Sequence, residues 1–176
     1  NNCIFERVHP SLVHINSYIG NINGVFNAII INGKPVGQSV MQGEGAGAGP
    51  TTSSLVFDLC SILRGNIKNS FIVPYNKRKI IKKYNYNNYI YSCYLRFEVK
   101  DKPGVLASIT IILAKNKISI ESLIQNPHKK NKTASIIIFT HKTTEKKVIN
   151  CIATINKNKN IIKKPTFIRV GNFNDN

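Results

Sequence analysis

Acidic residues are scarce in this chain: 8 Asp and Glu stand against 25 Lys and Arg, leaving a net charge of +17. Such an excess suits nucleic acid or an anionic membrane surface, provided that it is gathered into a patch. It is not gathered, because Lys is spread along the chain among abundant Asn and Ile, which marks a global compositional bias. Cysteine is sparse too. Cys3, Cys60, Cys93 and Cys151 lie far apart with no CxxC pair, which argues against a metal cluster or a redox couple and predicts free thiols in a reducing, cytoplasmic setting. His9, His14, His128 and His141 are equally scattered, as surface or packing residues are, and no metal site is expected. No apolar run approaches the roughly 20 residues that span a bilayer. The start, Asn1-Asn2-Cys3-Ile4-Phe5, lacks both an initiator Met and a basic region leading into an apolar signal core; it reads as the interior of a longer protein.

What is present is the ordinary material of globular protein. The chain has 176 residues, 42% of them apolar, enough for one domain or two small ones. The densest basic stretch, Lys77-Arg78-Lys79-Ile80-Ile81-Lys82-Lys83, precedes Tyr84, Tyr86, Tyr89 and Tyr91. Cations with aromatics can track a single nucleic-acid strand, but the spread of Lys favours a solvated linker. Neither nucleic acid nor membrane is expected as a partner.

Periodicity divides the chain. Residues up to Met41 alternate like sheet, with turn signals at Asn23-Gly24 and Asn32-Gly33, and Val25 to Met41 is expected to form a hairpin with β-branched walls and Lys34 at its turn. The stretch "GEGAGAGPTTSSLVFDL" from Gly43 then leads into a helix whose face holds Leu55, Leu59 and Ile62, with Thr51, Thr52 or Ser53 as N-cap and Gly65 as terminator. Free N–H groups at such a helix start favour an anionic or carbonyl-bearing ligand. Taken alone, the loop reads as a tight strand-to-helix connection: the acidic residue of a dinucleotide fingerprint, expected about 20 positions on, is replaced by Asn69, Ser70 and Phe71. Residues 65–90 read as a linker with one apolar patch, Phe71-Ile72-Val73. Beyond it "CYLRFEV", "ISIESLI", "TASIIIFTH" and "TFIRV" are strands, with Pro127 to Lys132 as a polar connection. Helical stripes at Val105, Leu106, Ile109, Ile112 and Leu113, and at Val148, Ile152 and Ile155, complete βαββαβ. The fold class is α+β, the second half being a ferredoxin-like sandwich with both helices on one sheet face.

Two motifs point to one family. "GEGAGAGPTTSSLVFDL" resembles the glycine loop and helix of homoserine dehydrogenases, and "NINGVFNAIIINGKPVGQSVMQ" resembles the sheet segment that precedes it there. "YLRFEVKDKPGVLASITIILAKNKISIESLIQ" and the closing "TFIRV" resemble the ACT regulatory domain carried by many bacterial members. The resemblance implies that residues 1–64 end the catalytic and substrate domain with its return helix, 65–90 link, and 91–176 form the ACT domain. It implies NAD or NADP as cofactor, with Gly47, Gly45 and Thr51 on the cofactor side. A glycine suits position 47, since a Cβ would hold a dinucleotide away from the backbone.

The implied reaction reduces L-aspartate 4-semialdehyde to L-homoserine, on the route to threonine, methionine and isoleucine. The lysine and acidic residues that do the family's proton chemistry have no counterpart here, so no catalytic residue is named and the chain alone is expected to be inactive. The resemblance also implies an allosteric ligand, threonine, at the turn Asp101, Lys102, Pro103, Gly104 with the N–H groups of Val105 and Leu106. Ile118 and Ser119 would complete that pocket. A purely structural role for Asp101, as helix cap, stays open, and so does a non-catalytic amino-acid sensor as the function of the whole. A homodimer or homotetramer is expected.

Overall fold

The computed structural model describes residues 3–66, 73–128 and 131–171. Asn69, Ser70, Phe71 and Ile72, and Lys129 and Lys130 of the polar connection, lie outside the described residues. In chain order the strands are β1 (Cys3–Ile4), β2 (Ser11–Leu12), β3 (Phe26–Gly33) and β4 (Gly37–Glu44), followed by helix α1 (Ala48–Leu63). Then come β5 (Lys82–Lys83), β6 (Ile90–Lys100), α2 (Val105–Lys115), β7 (Ile120–His128), β8 (Thr133–Thr140), β9 (Thr143–Thr144), α3 (Glu145–Ile155) and β10 (Thr166–Val170). They fall into two compact units, one of residues 15–81 and one that joins residues 1–14 to 82–176.

The unit of residues 15–81 is a long hairpin and a helix. β3 and β4 pair antiparallel from Phe26↔Glu44 to Gly33↔Gly37. Asn32-Gly33 therefore belongs to the ladder, with Asn32 opposite Gln38 and their side chains hydrogen-bonded at 3.0 Å. The connection is the three residues Lys34-Pro35-Val36, so the turn sits two residues later than the Asn-Gly signal suggests. Pro35 explains the shift, since it has no N–H to give a ladder. Helix α1 stops where expected. Gly65 takes φ +73°, its N–H reaches Ile62 O at 2.9 Å and that of Asn66 reaches Ser61 O at 3.0 Å; the paired bonds satisfy carbonyls that the helix end would otherwise leave open. Apolar side chains stay on the surface of this unit: Ile29, Ile31, Val40 and Met41 on the hairpin and Leu55, Phe57, Leu59 and Ile62 on the helix are all exposed.

The other unit holds the hydrophobic core. Its sheet runs β2-β10-β6-β8-β7, with β9 paired to the start of β6. β6 shows the alternation that one-sided burial demands: Tyr91, Cys93, Leu95, Phe97 and Val99 are buried, and the intervening side chains point away. Against that face pack Val105, Ile109 and Leu113 of α2 and Val148, Cys151 and Ile155 of α3. The four long strands and two helices give the expected βαββαβ order. β7 continues through Pro127 and His128, paired with Ala134 and Thr133, so the polar connection is shorter than the sequence suggests.

Residues 3–14 form a strap on this unit. β1 pairs parallel with β5, β2 pairs parallel with the end of β10, and Phe5 stacks on Tyr89 with ring centroids 4.3 Å apart. Tyr84 and Tyr86 also meet Phe5 edge-on. Part of the presumed linker is thus packed structure.

Candidate functional site

The glycine loop turns from β4 into α1. Gly45 extends the ladder, its N–H donating to Val25 O at 2.8 Å. An added Cβ there would stand 1.8 Å from Asn27 Nδ2, forcing that side chain aside. Gly47 is the N-cap, with φ +123° and ψ +154°, a backbone conformation that residues with a Cβ adopt only under strain. An added Cβ there would meet the Pro50 ring at 3.4 Å. The helix begins at Ala48, earlier than its Thr-Thr-Ser signal suggests. Thr51 does not cap; its N–H and its hydroxyl both turn back to Gly47 O, at 3.3 and 2.8 Å. Gly45, Gly47 and Thr51 thus lie along the connection from β4 into α1, with the N–H groups of Gly45 and Thr51 already bonded to Val25 O and Gly47 O.

In the second unit the turn before α2 is differently built. Gly104 is the N-cap in the left-handed region, φ +84°. Asp101 does not cap the helix: its N–H donates to Lys132 O at 2.9 Å and its carboxylate accepts from Gln125 Nε2 at 3.4 Å. The Val105 N–H is directed to Lys102 O at 3.3 Å. Val105 itself is buried in the core, while Leu106 is half-buried. Ile118 is also a core residue, and Ser119 uses its carbonyl to accept from the His141 N–H at 3.0 Å. Ile118 is therefore part of the core and does not line an open pocket beside the turn.

Sequence reading missed the strongest polar cluster. Glu145, the first residue of α3, is buried, and its carboxylate accepts from Arg7 at 2.5 and 3.0 Å, Arg169 at 2.7 Å and the Tyr91 hydroxyl at 2.7 Å. Burial alone would raise its pKa, but the hydrogen bonds from Arg7, Arg169 and Tyr91 hold it at about 2. Burial, with the carboxylate as neighbour, pushes the Tyr91 phenol well above its ordinary value. The guanidinium of Arg7 also lies over the Tyr86 ring, 4.9 Å from its centroid. The available signal was one of the chain's few acidic residues opening a helix. Its partners are far away in sequence.

Among the described residues no group of three or more His, Cys, Asp or Glu could hold a metal ion, and no helix is long and apolar enough to cross a membrane.

Comparison with known proteins joins the two halves. Residues 2–60 match the homoserine dehydrogenase family and residues 94–157 the ACT domain family. The chain is 34% identical to the homoserine dehydrogenase of Neisseria gonorrhoeae over 96% of its own length and 40% of that protein's. It is 31% identical to the one from Helicobacter pylori, over 97% and 40% respectively. The crystal structure of a homoserine dehydrogenase from Thiobacillus denitrificans superposes with a TM-score of 0.81 at 33% identity, covering 97% of this chain and 40% of that one. The chain thus spans about two fifths of the length of the relatives it matches. With the glycine-loop segment in its first third and an ACT domain in its second half, it belongs to the homoserine dehydrogenase family.

Proposed function

We propose that this chain is the C-terminal part of an NAD(P)-dependent homoserine dehydrogenase, with residues 1–64 ending the catalytic and substrate domain, 65–90 linking, and 91–176 forming the ACT domain. The observation that carries the reading is the order of two unrelated features in one chain, a bare glycine turn at a helix start and a βαββαβ sandwich, matched to such enzymes over nearly its whole length. The whole protein reduces L-aspartate 4-semialdehyde to L-homoserine in the cytoplasm, for threonine, methionine and isoleucine synthesis.

In that reaction the nicotinamide supplies hydride, and the aldehyde oxygen needs a proton source and support for its developing charge. This chain contributes backbone rather than acid or base. Gly47 leaves room for the dinucleotide against the main chain, Gly45 makes room for the Asn27 side chain beside the turn, and Thr51 ties its hydroxyl to Gly47 O, fixing the turn. The apolar residues left exposed on the hairpin and α1 suit elements that continue into the remainder of the enzyme.

Threonine is the effector in this reading, held at Asp101, Gly104, Val105 and Leu106 where two ACT copies meet. Its binding must differ between two arrangements of the copies to reach the catalytic domains at all. The enzyme is a homodimer or homotetramer.

Joining this chain to the missing three fifths of the Neisseria gonorrhoeae relative tests the proposal. The chimaera should oxidise NADPH with aspartate semialdehyde and be inhibited by threonine, and the chain alone should do neither. A correctly folded chimaera without turnover would overturn it and favour a non-catalytic amino-acid sensor.

A further inference from the structure

The sequence carries the same dipeptide twice, as Asn23-Gly24 and Asn32-Gly33, and no other asparagine precedes a glycine. The pair is chemically reactive: glycine has no Cβ, so its main-chain nitrogen can approach the side-chain carbonyl carbon of the asparagine before it. The fold puts the two copies in opposite surroundings. Asn23 and Gly24 are both exposed, in a turn that the Phe26 N–H closes on Asn23 O at a long 3.4 Å. Gly24 takes φ +65°, and among the described residues its N–H has no hydrogen-bond partner. The Asn23 side chain donates its amide N–H to Asn21 O at 3.1 Å, which leaves its carbonyl unengaged. Asn32 and Gly33 lie in the ladder instead. Counting alternate pairs from the bond of Gly45 N–H to Val25 O makes Gly33↔Gly37 a hydrogen-bonded pair, and Asn32 Oδ1 accepts from Gln38 Nε2 at 3.0 Å.

We propose that Asn23 is a site of self-modification, at which the chain converts its own asparagine to aspartate and isoaspartate, while the ladder protects Asn32. The Gly24 nitrogen, its proton taken by hydroxide, attacks Asn23 Cγ. The new N–Cγ bond closes a cyclic imide as the Cγ–Nδ2 bond breaks, and Nδ2 leaves as ammonia with a proton from water. Water then opens the ring at either imide carbonyl, giving aspartate where the main chain is restored and isoaspartate where it runs through the side chain. Water is consumed and ammonia released, with no oxidant, reductant or cofactor. The place has structural weight, since Val25, two residues on, holds Gly45 by a main-chain bond. The extra main-chain carbon of isoaspartate therefore enters at the root of β3, beside the glycine turn, and brings a negative charge to a chain poor in them. The inference is independent of the catalytic reading above.

Incubating the 176-residue chain in neutral and in mildly alkaline buffer, followed by peptide mapping with mass spectrometry, reads both sites together. Asn23 should convert at least about tenfold faster than Asn32, the factor expected where ring closure must first break a ladder bond, and faster in the more alkaline buffer. Hydroxylamine, which cleaves the imide, should cut the folded chain between Asn23 and Gly24 and leave Asn32-Gly33 whole. In concentrated urea the two rates should approach each other, because the ladder is gone. Asn23→Gln, whose longer side chain closes no such ring at a comparable rate, should abolish the conversion with unchanged far-ultraviolet circular dichroism. The proposal is overturned if Asn32 converts as fast as Asn23 in the folded chain, if Asn23 converts only in urea, if hydroxylamine cuts both pairs alike, or if the Asn23→Gln peptide still gains the mass of the acid.

Discussion

Glu145 shows what a single residue can organise. Its folded pKa of about 2 lies below the ordinary 4.5, so its contribution to stability is complete above the unfolded value and is lost as pH falls from about 4.5 through 2. That contribution is on the order of 2–3 kcal/mol. Glu145→Gln should therefore unfold at lower denaturant concentration at neutral pH and show a flatter stability profile across the acid window, as urea titrations at successive pH values would reveal. The thiols behave differently. Burial pushes Cys93 up to about 12 and Cys151 to about 11, whereas Cys3 is exposed and Cys60 half-buried. Alkylation followed by mass spectrometry should label Cys3 and Cys60 in the native protein, and Cys93 and Cys151 only after denaturation. Free thiols were legible from spacing alone. Glu145 was not, because its bond to Arg7 spans 138 positions and no periodicity encodes a pairing at that range.

Among the elements, β6 and α2 were the most legible, since each repeats one buried face over several residues. Helix starts were harder. Thr51 and Asp101 are residue types that cap helices, yet in both places a glycine with positive φ does so. Backbone conformation decided the matter, and a sequence records it only as the presence of Gly. Gly47→Ala should cost about 1–3 kcal/mol in stability from strain at φ +123°. In the full-length enzyme it should raise the KM for NAD(P)H with a smaller effect on kcat. Gly104→Ala meets open space and should cost about 1–2 kcal/mol, from its left-handed backbone alone. Thermal melts of the two variants beside the parent check both values.

For the molecule as a whole, cohesion is unevenly distributed. Every residue of the hydrophobic core cluster lies between Tyr91 and Ile155. Amide exchange should accordingly be slowest in β6, β8, α2 and α3, and orders of magnitude faster in the hairpin and α1. Phe97→Ala, at a fully buried site, should lower the stability of the ACT unit by about 3–5 kcal/mol, seen as a shifted urea midpoint. The change in period marks the hairpin with its helix and the sandwich, but not the strap, which puts the first residues of the chain with the sandwich. At two residues each, β1 and β2 carry too short a pattern to announce the pairings of Cys3 with Lys82 and of Ser11 with Arg169.

That strap has an effect on how sheets can be extended. Ser11 and Leu12 lie alongside Arg169 and Val170, so one margin of the ACT sheet is already occupied near its end. Among the described residues the opposite margin, β7, pairs with β8 alone, so its outer edge from Ile120 to His128 is the longer stretch of backbone open to strand addition.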